Sequence, residues 1–428
     1  MKNKYNLVFG VLIFIPVAIY FGVINRYALN LPYHDDYKAV LNFLIDFKKA
    51  NWSGRLPLLT QQYNEHRILS AKTIYVLLYS LTGHIDFRTL IFIGNLQLAF
   101  VLLILISFTR KMLPGNWLAP AFMFSVVIFD LNNWQNTTWA MAAMSNFGII
   151  FLFLLSLHLY DASNKKLIYL AVLVQILCTY SNGNGIIGSF CIACYSVLSG
   201  NRKKMLFAIP AFLIFAPLYF LHYHKVASTT FHPVPIQMAR GLFTFANSFI
   251  CFHIRPHWIY FARVTSVIFI ICLIFVLPDF KQVRKAEFRS GHAVLIALFL
   301  FCLFTIITAC IFRPISDQIP SRYMAYPNLL ICSMILFFCT KFREFKFSNT
   351  ILATTTFILV AIYINNFNFG VSNMAATHKD ILENEYNIGD GIWDPTEAEL
   401  GKSISDEAAA LGIFNQQEQR KLISSAKE

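Results

Sequence analysis

Between residues 7 and 365 the chain returns repeatedly to apolar runs about as long as a membrane-crossing helix, ~20 residues, with short polar stretches between them. Backbone N–H and C=O groups in a hydrocarbon core must be satisfied within their own segment, so such runs fold as helices. With 57% hydrophobic and only 13% charged residues, the composition excludes a single water-soluble globule. The expected fold class is all-α, a polytopic transmembrane helical bundle.

Spans are expected at 7–24, 89–108, 117–131, 143–160, 167–180, 186–199, 205–222, 258–277, 292–312, 323–340 and 348–365. Five basic loops orient them: Arg110-Lys111, Lys165-Lys166, Arg202-Lys203-Lys204, Lys281 to Arg289, and Lys341 to Lys346. Lys and Arg concentrate in cytoplasmic loops, and placing all five there makes the helices alternate. One further apolar stretch, ILSAKTIYVLLYSLTG at 68–83, would invert every later loop if it crossed. It is therefore expected to lie in the outer interface. About 11 spans remain, with residues 1–365 as the membrane domain and 25–88 as a long first external loop. The first run follows Lys2 and Lys4 without a small-residue cleavage site and is expected to be an uncleaved signal anchor with a cytoplasmic N-terminus.

The chain carries a net charge of +13, whereas residues 366–428 hold 11 acidic and 5 basic residues and form a small acidic external segment. The basic excess sits in loops, not in a soluble basic domain, so nucleic acid is not an expected partner and membrane lipid is. All nine cysteines lie within or beside apolar runs, including Cys191-Ile-Ala-Cys194, which fits core packing better than a disulfide or metal framework. In the tail, Asp394-Pro395-Thr396-Glu397 reads as cap, first helical proline and capping-box glutamate. Leu400, Ile404, Ala408 and Leu411 then share one face up to Gly412.

The external loops hold the chemistry. In LPYHDDYKAV, residues 31–40, Asp35 and Asp36 precede an amphipathic helix marked by Tyr37, Val40, Leu41, Leu44 and Phe47. A carboxylate there can cap the helix. Held ionised just outside the membrane, it can equally serve as a base or cation ligand beside a lipid headgroup. A second helix is expected after Asn64, with Glu65, His66 and Arg67 in its first turn; successive residues point about 100° apart, so one or two of these face any ligand.

Further along, 313–323 contains Arg313, Asp317, Arg322 and Tyr323. Arginine binds phosphate oxygens bidentately, and an Arg at a helix start opposes the dipole, so Arg322 reads as a phosphate partner better than as an anchor. Trp134 and Gln135, within Asn133 to Asn136, offer an aromatic face and an amide suited to a sugar ring; an interfacial aromatic belt is the simpler reading of that stretch alone. Asn182 and Asn184, in Asn182-Gly-Asn-Gly185, break the helical pattern where unwound backbone is tolerated only beside a cavity or buried in protein. Asp130 at a span end calls for a partner. His222, His224, His232, His253 and His257 cluster externally without a Cys or carboxylate in sequence, a weak metal signal, and Arg255 lies between the last two.

With HDD at 34–36 after the first span and SRY at 321–323 before a late one, the chain resembles the membrane-embedded GT-C class of glycosyltransferases. The likeness extends to the general plan: many spans, a long first external loop with interfacial helices, and an external C-terminal segment. It implies a polyprenyl-phosphate-linked sugar as donor and a glycan or lipid as acceptor, in a bacterial inner membrane with the site on the outer face. It implies a catalytic role for Asp35 or Asp36 and carrier-phosphate binding by Arg322, helped by Arg313, Arg67 or Arg255. The carboxylate would take the acceptor proton, or orient the acceptor through a divalent cation; no other cofactor is implied. The large soluble C-terminal domain of many oligosaccharyltransferases is not seen, so transfer to a peptide is not expected. Two other readings stay open: a repeat-unit polymerase, and a lipid-linked oligosaccharide flippase.

Overall fold

The computed structural model describes residues 2–162, 164, 166–224, 241, 245, 289–312, 319–341, 348–383 and 395–415. The chain is all-helical apart from one pair of two-residue strands among the described residues. Helix α1 (Lys2–Tyr27) leads to a loop, then to a π-helical turn (Tyr37–Asn42) running into α2 (Phe43–Lys49). After α3 (Trp52–Thr60) come strands β1 (Gln62–Tyr63) and β2 (His66–Arg67), then α4 (Leu69–Thr82) and α5 (Phe87–Met112). Helices α6 (Leu118–Ile128), α7 (Trp134–Thr138), α8 (Ala140–Ala142), α9 (Gly148–Asp161), α10 (Leu167–Thr179), α11 (Gly185–Leu198) and α12 (Arg202–Tyr219) follow. The last described elements are α13 (Arg289–Phe312), α14 (Ala325–Lys341), α15 (Ser348–Glu383) and α16 (Pro395–Ala410).

Among the described residues, six helices are long and apolar enough to cross a membrane: Val8–Tyr27, Phe87–Met112, Ala140–Asp161, Gly291–Phe312, Ser321–Lys341 and Thr350–Glu383. The described residues do not confirm the expected 11, and for most of the remaining segments the reason is geometric. The segments 117–131, 167–180 and 186–199 form helices of 11, 13 and 14 residues. At 1.5 Å rise, even 14 residues reach only about 21 Å of a core ~30 Å thick. Helix α12 opens on Arg202, Lys203 and Lys204 and contains Pro210 and Pro217. The expected span 258–277 lies outside the described residues.

Burial sorts the six. Ala140–Asp161 is 83% buried and central, whereas the apolar windows of the first and last are 17% buried. Large apolar side chains on these two helices, such as Phe14 and Phe357, are exposed on the outside of the bundle. Polar residues 365 and 366 do not end the last helix, contrary to a boundary at 365/366. Asn366 is buried and donates Nδ2 to Asp130 Oδ2 at 2.9 Å, and α15 runs on to Glu383, 36 residues in all.

The two ends of the bundle differ. At one, Asp161 receives Lys111 Nζ at 2.6 Å, Tyr195 OH at 2.9 Å and Lys204 Nζ at 3.9 Å. A Cβ on Gly291 would meet Met112, which brings the start of α13 to the same end. Two of the basic loops thus gather around one carboxylate. The loop bearing Asp35 and Asp36 sits at the other end of α8–α9, about 20 residues or 30 Å away.

The C-terminal segment returns to that second end. Helix α16 stops in a Schellman arrangement at Gly412 (φ +69°), with Ile413 N donating to Ala408 O and Gly412 N to Ala409 O. Beyond it, Ile413 O accepts from Ile85 N at 2.7 Å, and Phe414 packs edge-on against Phe87 at 5.6 Å. Lys38 pairs with Glu397 at 3.2 Å, and Lys49 with Glu407. The acidic tail therefore straps the segment that follows the Asp pair. Ile404 and Ala408 face inward as expected, while Leu400 is exposed.

Candidate functional site

His34 takes a left-handed backbone conformation (φ +46°), turning the chain out of α1's exit loop so that the two carboxylates diverge. Asp36 is 1% exposed. Its Oδ2 accepts from Tyr33 N at 3.1 Å and its Oδ1 from Met141 N at 2.8 Å. It makes no side-chain capping bond to the helix it precedes. The capping reading therefore fails for Asp36; its carboxyl staples the first loop to α8. Burial pushes that carboxyl up to about 8, with the two backbone N–H groups pulling the other way and Asp35 adding to the rise.

Asp35 is half-buried and accepts Tyr63 OH at 2.5 Å. Tyr63 stands opposite His66 in the hairpin β1–β2. Asn64 and Glu65 form its turn, with Asn64 at φ +46°. The helix expected to begin at Glu65 begins instead at Leu69, because Asn64 reverses the chain where a capping residue was expected. His66 Nδ1 accepts from Gly183 N at 3.2 Å, which requires a neutral ring, and burial likewise lowers its pKa. Its Nε2 lies 3.8 Å from Glu65 Oε1. A Cβ on Gly183 would lie 2.7 Å from that ring, and one on Gly185 2.0 Å from Cys178 O; only glycine permits this break between α10 and α11.

Amides link the break to the late spans. Asn182 Nδ2 donates to Asn146 Oδ1 at 3.4 Å, Asn146 Nδ2 to Asn136 Oδ1 at 2.8 Å, and Asn136 Nδ2 to Arg322 O at 2.9 Å. Arg322 N donates to Gln135 Oε1 at 3.1 Å, while Gln135 N donates to Ser321 Oγ at 3.3 Å. Asn132 and Asn328 exchange reciprocal bonds of 2.9 and 3.0 Å, and Asn184 Nδ2 donates to Tyr326 OH at 2.9 Å. The backbone at Arg322 is thus held from both sides, and its guanidinium lies 5.7 Å from the ring of Tyr323. Trp134 packs partly buried against the core.

Arg67 is placed differently from a ligand-facing cation. Nε donates to Tyr219 O at 2.7 Å, Nη2 to Leu221 O at 2.5 Å and Nη1 to Thr60 O, so the guanidinium caps the C-terminal carbonyls of α3 and α12. Buried Lys72 acts similarly, donating to Leu58 O and Gln61 O at 2.9 Å each. Arg255 and Arg313 lie outside the described residues. Among the described residues no group of three or more His, Cys, Asp or Glu forms a metal cluster.

Two tyrosines escaped the sequence reading. Tyr63 is the partner of Asp35. Tyr75 is fully buried, its hydroxyl has no hydrogen-bond partner among the described residues, and the charges of Asp36 and Asp35 act on it. The signal was present: Ile68, Ala71, Lys72 and Tyr75 recur at helical spacing and all are buried. Asn146 had no such marker, being one polar residue inside an apolar run.

The fold defines an all-helical membrane protein with a polar layer at one end. No family model matches the chain, and no curated protein matches it.

Proposed function

We propose that this chain is an integral membrane glycosyltransferase that moves a sugar from a polyprenyl-phosphate carrier to a glycan or lipid acceptor at the outer membrane face. One juxtaposition carries the reading. Asp35 joins Tyr63, whose strand partner His66 bonds Gly183, and Asn182, Asn146 and Asn136 continue to the backbone of Arg322. An acid and a fixed cation, 287 positions apart in the sequence, thus belong to one polar layer.

Asp35 is the base. It is the accessible carboxylate of the two, and Tyr63 holds one of its oxygens, leaving the other for a hydroxyl. The acceptor oxygen attacks the anomeric carbon as the carbon–oxygen bond to phosphate breaks. The proton passes to Asp35, and the leaving phosphate takes the bonding electrons while Arg322 stabilises its charge. A single displacement inverts the anomeric centre. Asp36 positions Asp35 by tying the loop to Met141. Polar side chains that bring an acid and a cation into one layer at the loop end of the bundle favour transfer over flipping.

The test is Asp35→Asn at wild-type protein level, read as release of polyprenyl phosphate from a polyprenyl-phosphate sugar in membranes, with product length measured alongside. Loss of release by a folded variant is expected, with one sugar added per event. Undiminished release would overturn the role of Asp35, and long products would identify a polymerase instead.

A further inference from the structure

A groove of about 490 Å³ opens between α1 and α5 at the end of the bundle that carries the polar layer. Its floor is apolar: Phe21 and Phe92 stack at 6.2 Å with their planes 20° apart, and Leu96 lies exposed beyond them. Its mouth is polar, with the charged Asp86 and Arg88 beside the amide of Asn25. Arg88 Nη2 donates to Asn25 O at 3.0 Å and to Asn25 Oδ1 at 2.8 Å, which fixes the guanidinium. Its Nε and Nη1 make no hydrogen bond to the described residues. Asp86 Oδ1 accepts from Thr89 N at 2.5 Å as the cap of α5, and Oδ2 has no such partner.

We propose that this groove binds a glycerophospholipid with a phosphoethanolamine head, one acyl chain on the phenyl floor, its phosphate at Arg88 and its ammonium at Asp86. The groove lies between two helices that qualify as spans, at their water-facing ends, so its apolar length meets acyl chains and its mouth meets headgroups. Charge complementarity selects the head. One cation and one carboxylate match a zwitterion; a head with net negative charge sets its phosphate near Asp86 without an ammonium to neutralise it. A quaternary ammonium lacks the N–H that the free oxygen of Asp86 would accept.

The experiment uses the purified full chain in detergent with phosphatidylethanolamine, phosphatidylglycerol and phosphatidylcholine of identical acyl chains, read by native mass spectrometry. Wild type retains one phosphatidylethanolamine about tenfold over the other two, the low end of what one charge-assisted hydrogen bond contributes. Arg88→Gln lowers that retention by a similar factor. Asp86→Asn keeps the helix cap and erases the preference over phosphatidylglycerol while lipid still binds. Equal retention of all three by wild type, meaning annular lipid only, overturns the proposal, as does a preference that survives both substitutions.

Discussion

Replacing Asp36 by Asn tests the central electrostatic claim, because it removes a titrating group while keeping its shape. In the folded chain the carboxyl is raised from 3.8 to about 8, chiefly by burial. A raised group stabilises the fold fully below its unfolded pKa, and that contribution is lost as pH rises through the folded one. Wild type therefore weakens between about pH 4 and pH 8, by about 1.4 kcal/mol per unit. From pH 5 to pH 8 this amounts to on the order of 4 kcal/mol, and the Asp36→Asn variant does not share it. The variant carries its own deficit at every pH: its carbonyl oxygen serves one of Tyr33 N and Met141 N, and its NH2 faces the other. One buried donor without an acceptor costs about 1–3 kcal/mol. Wild type is thus the more stable protein below about pH 4.5, and the two curves cross between about pH 4.5 and pH 6. Thermal unfolding in detergent is followed by tryptophan fluorescence, with reactivity of the buried thiols of Cys178, Cys191, Cys302 and Cys332 as a second signal. Curves that stay parallel from pH 5 to pH 9 would refute the burial argument.

Three further outcomes follow from single contacts. Tyr63→Phe removes the hydroxyl that orients Asp35. Transfer should fall about tenfold, the effect of ~1.4 kcal/mol, with the thermal midpoint nearly unchanged; full activity would show that the bond does not orient the base. Gly185→Ala sets a methyl 2.0 Å from Cys178 O. The loss should be about 3 kcal/mol or more, seen as reduced folded yield and midpoint, and a wild-type midpoint would contradict the close approach. Phe414→Ala removes a buried ring from Phe87. At about 3–5 kcal/mol for such a truncation, the strap should open, and limited proteolysis should cleave near 395–415 much faster while the membrane helices persist. The exposed Lys49–Glu407 pair, worth about 0–1 kcal/mol, cannot hold it alone.

Helices were legible because their signal is local. Apolar runs marked six membrane-length helices and several shorter ones. The stretch at 68–83 forms a 14-residue helix that starts at Leu69 and is not among the membrane-length helices. Basic residues Lys111 and Lys204 indeed meet at one end. The hairpin at Gln62–Arg67 was not legible, because Asn64 suits a helix cap and a left-handed turn equally. Nor was the role of Arg67: its bonding partners Tyr219 and Leu221 lie about 150 residues on, where no spacing rule reaches. At the candidate site the residue types were visible, but the amide that joins them, Asn146, looked like an isolated polar residue in a span.

By itself the sequence determined the helical class, the membrane setting and the loops where polar chemistry collects, since backbone satisfaction in hydrocarbon leaves helices as the outcome for such runs. Tertiary structure decided which of two adjacent carboxylates is buried on backbone N–H groups and which remains accessible. It also decided that 322 sits in one polar layer with 35. Those choices depend on Met141, Tyr63 and Asn136 arriving from distant positions, and burial exists only once they have packed.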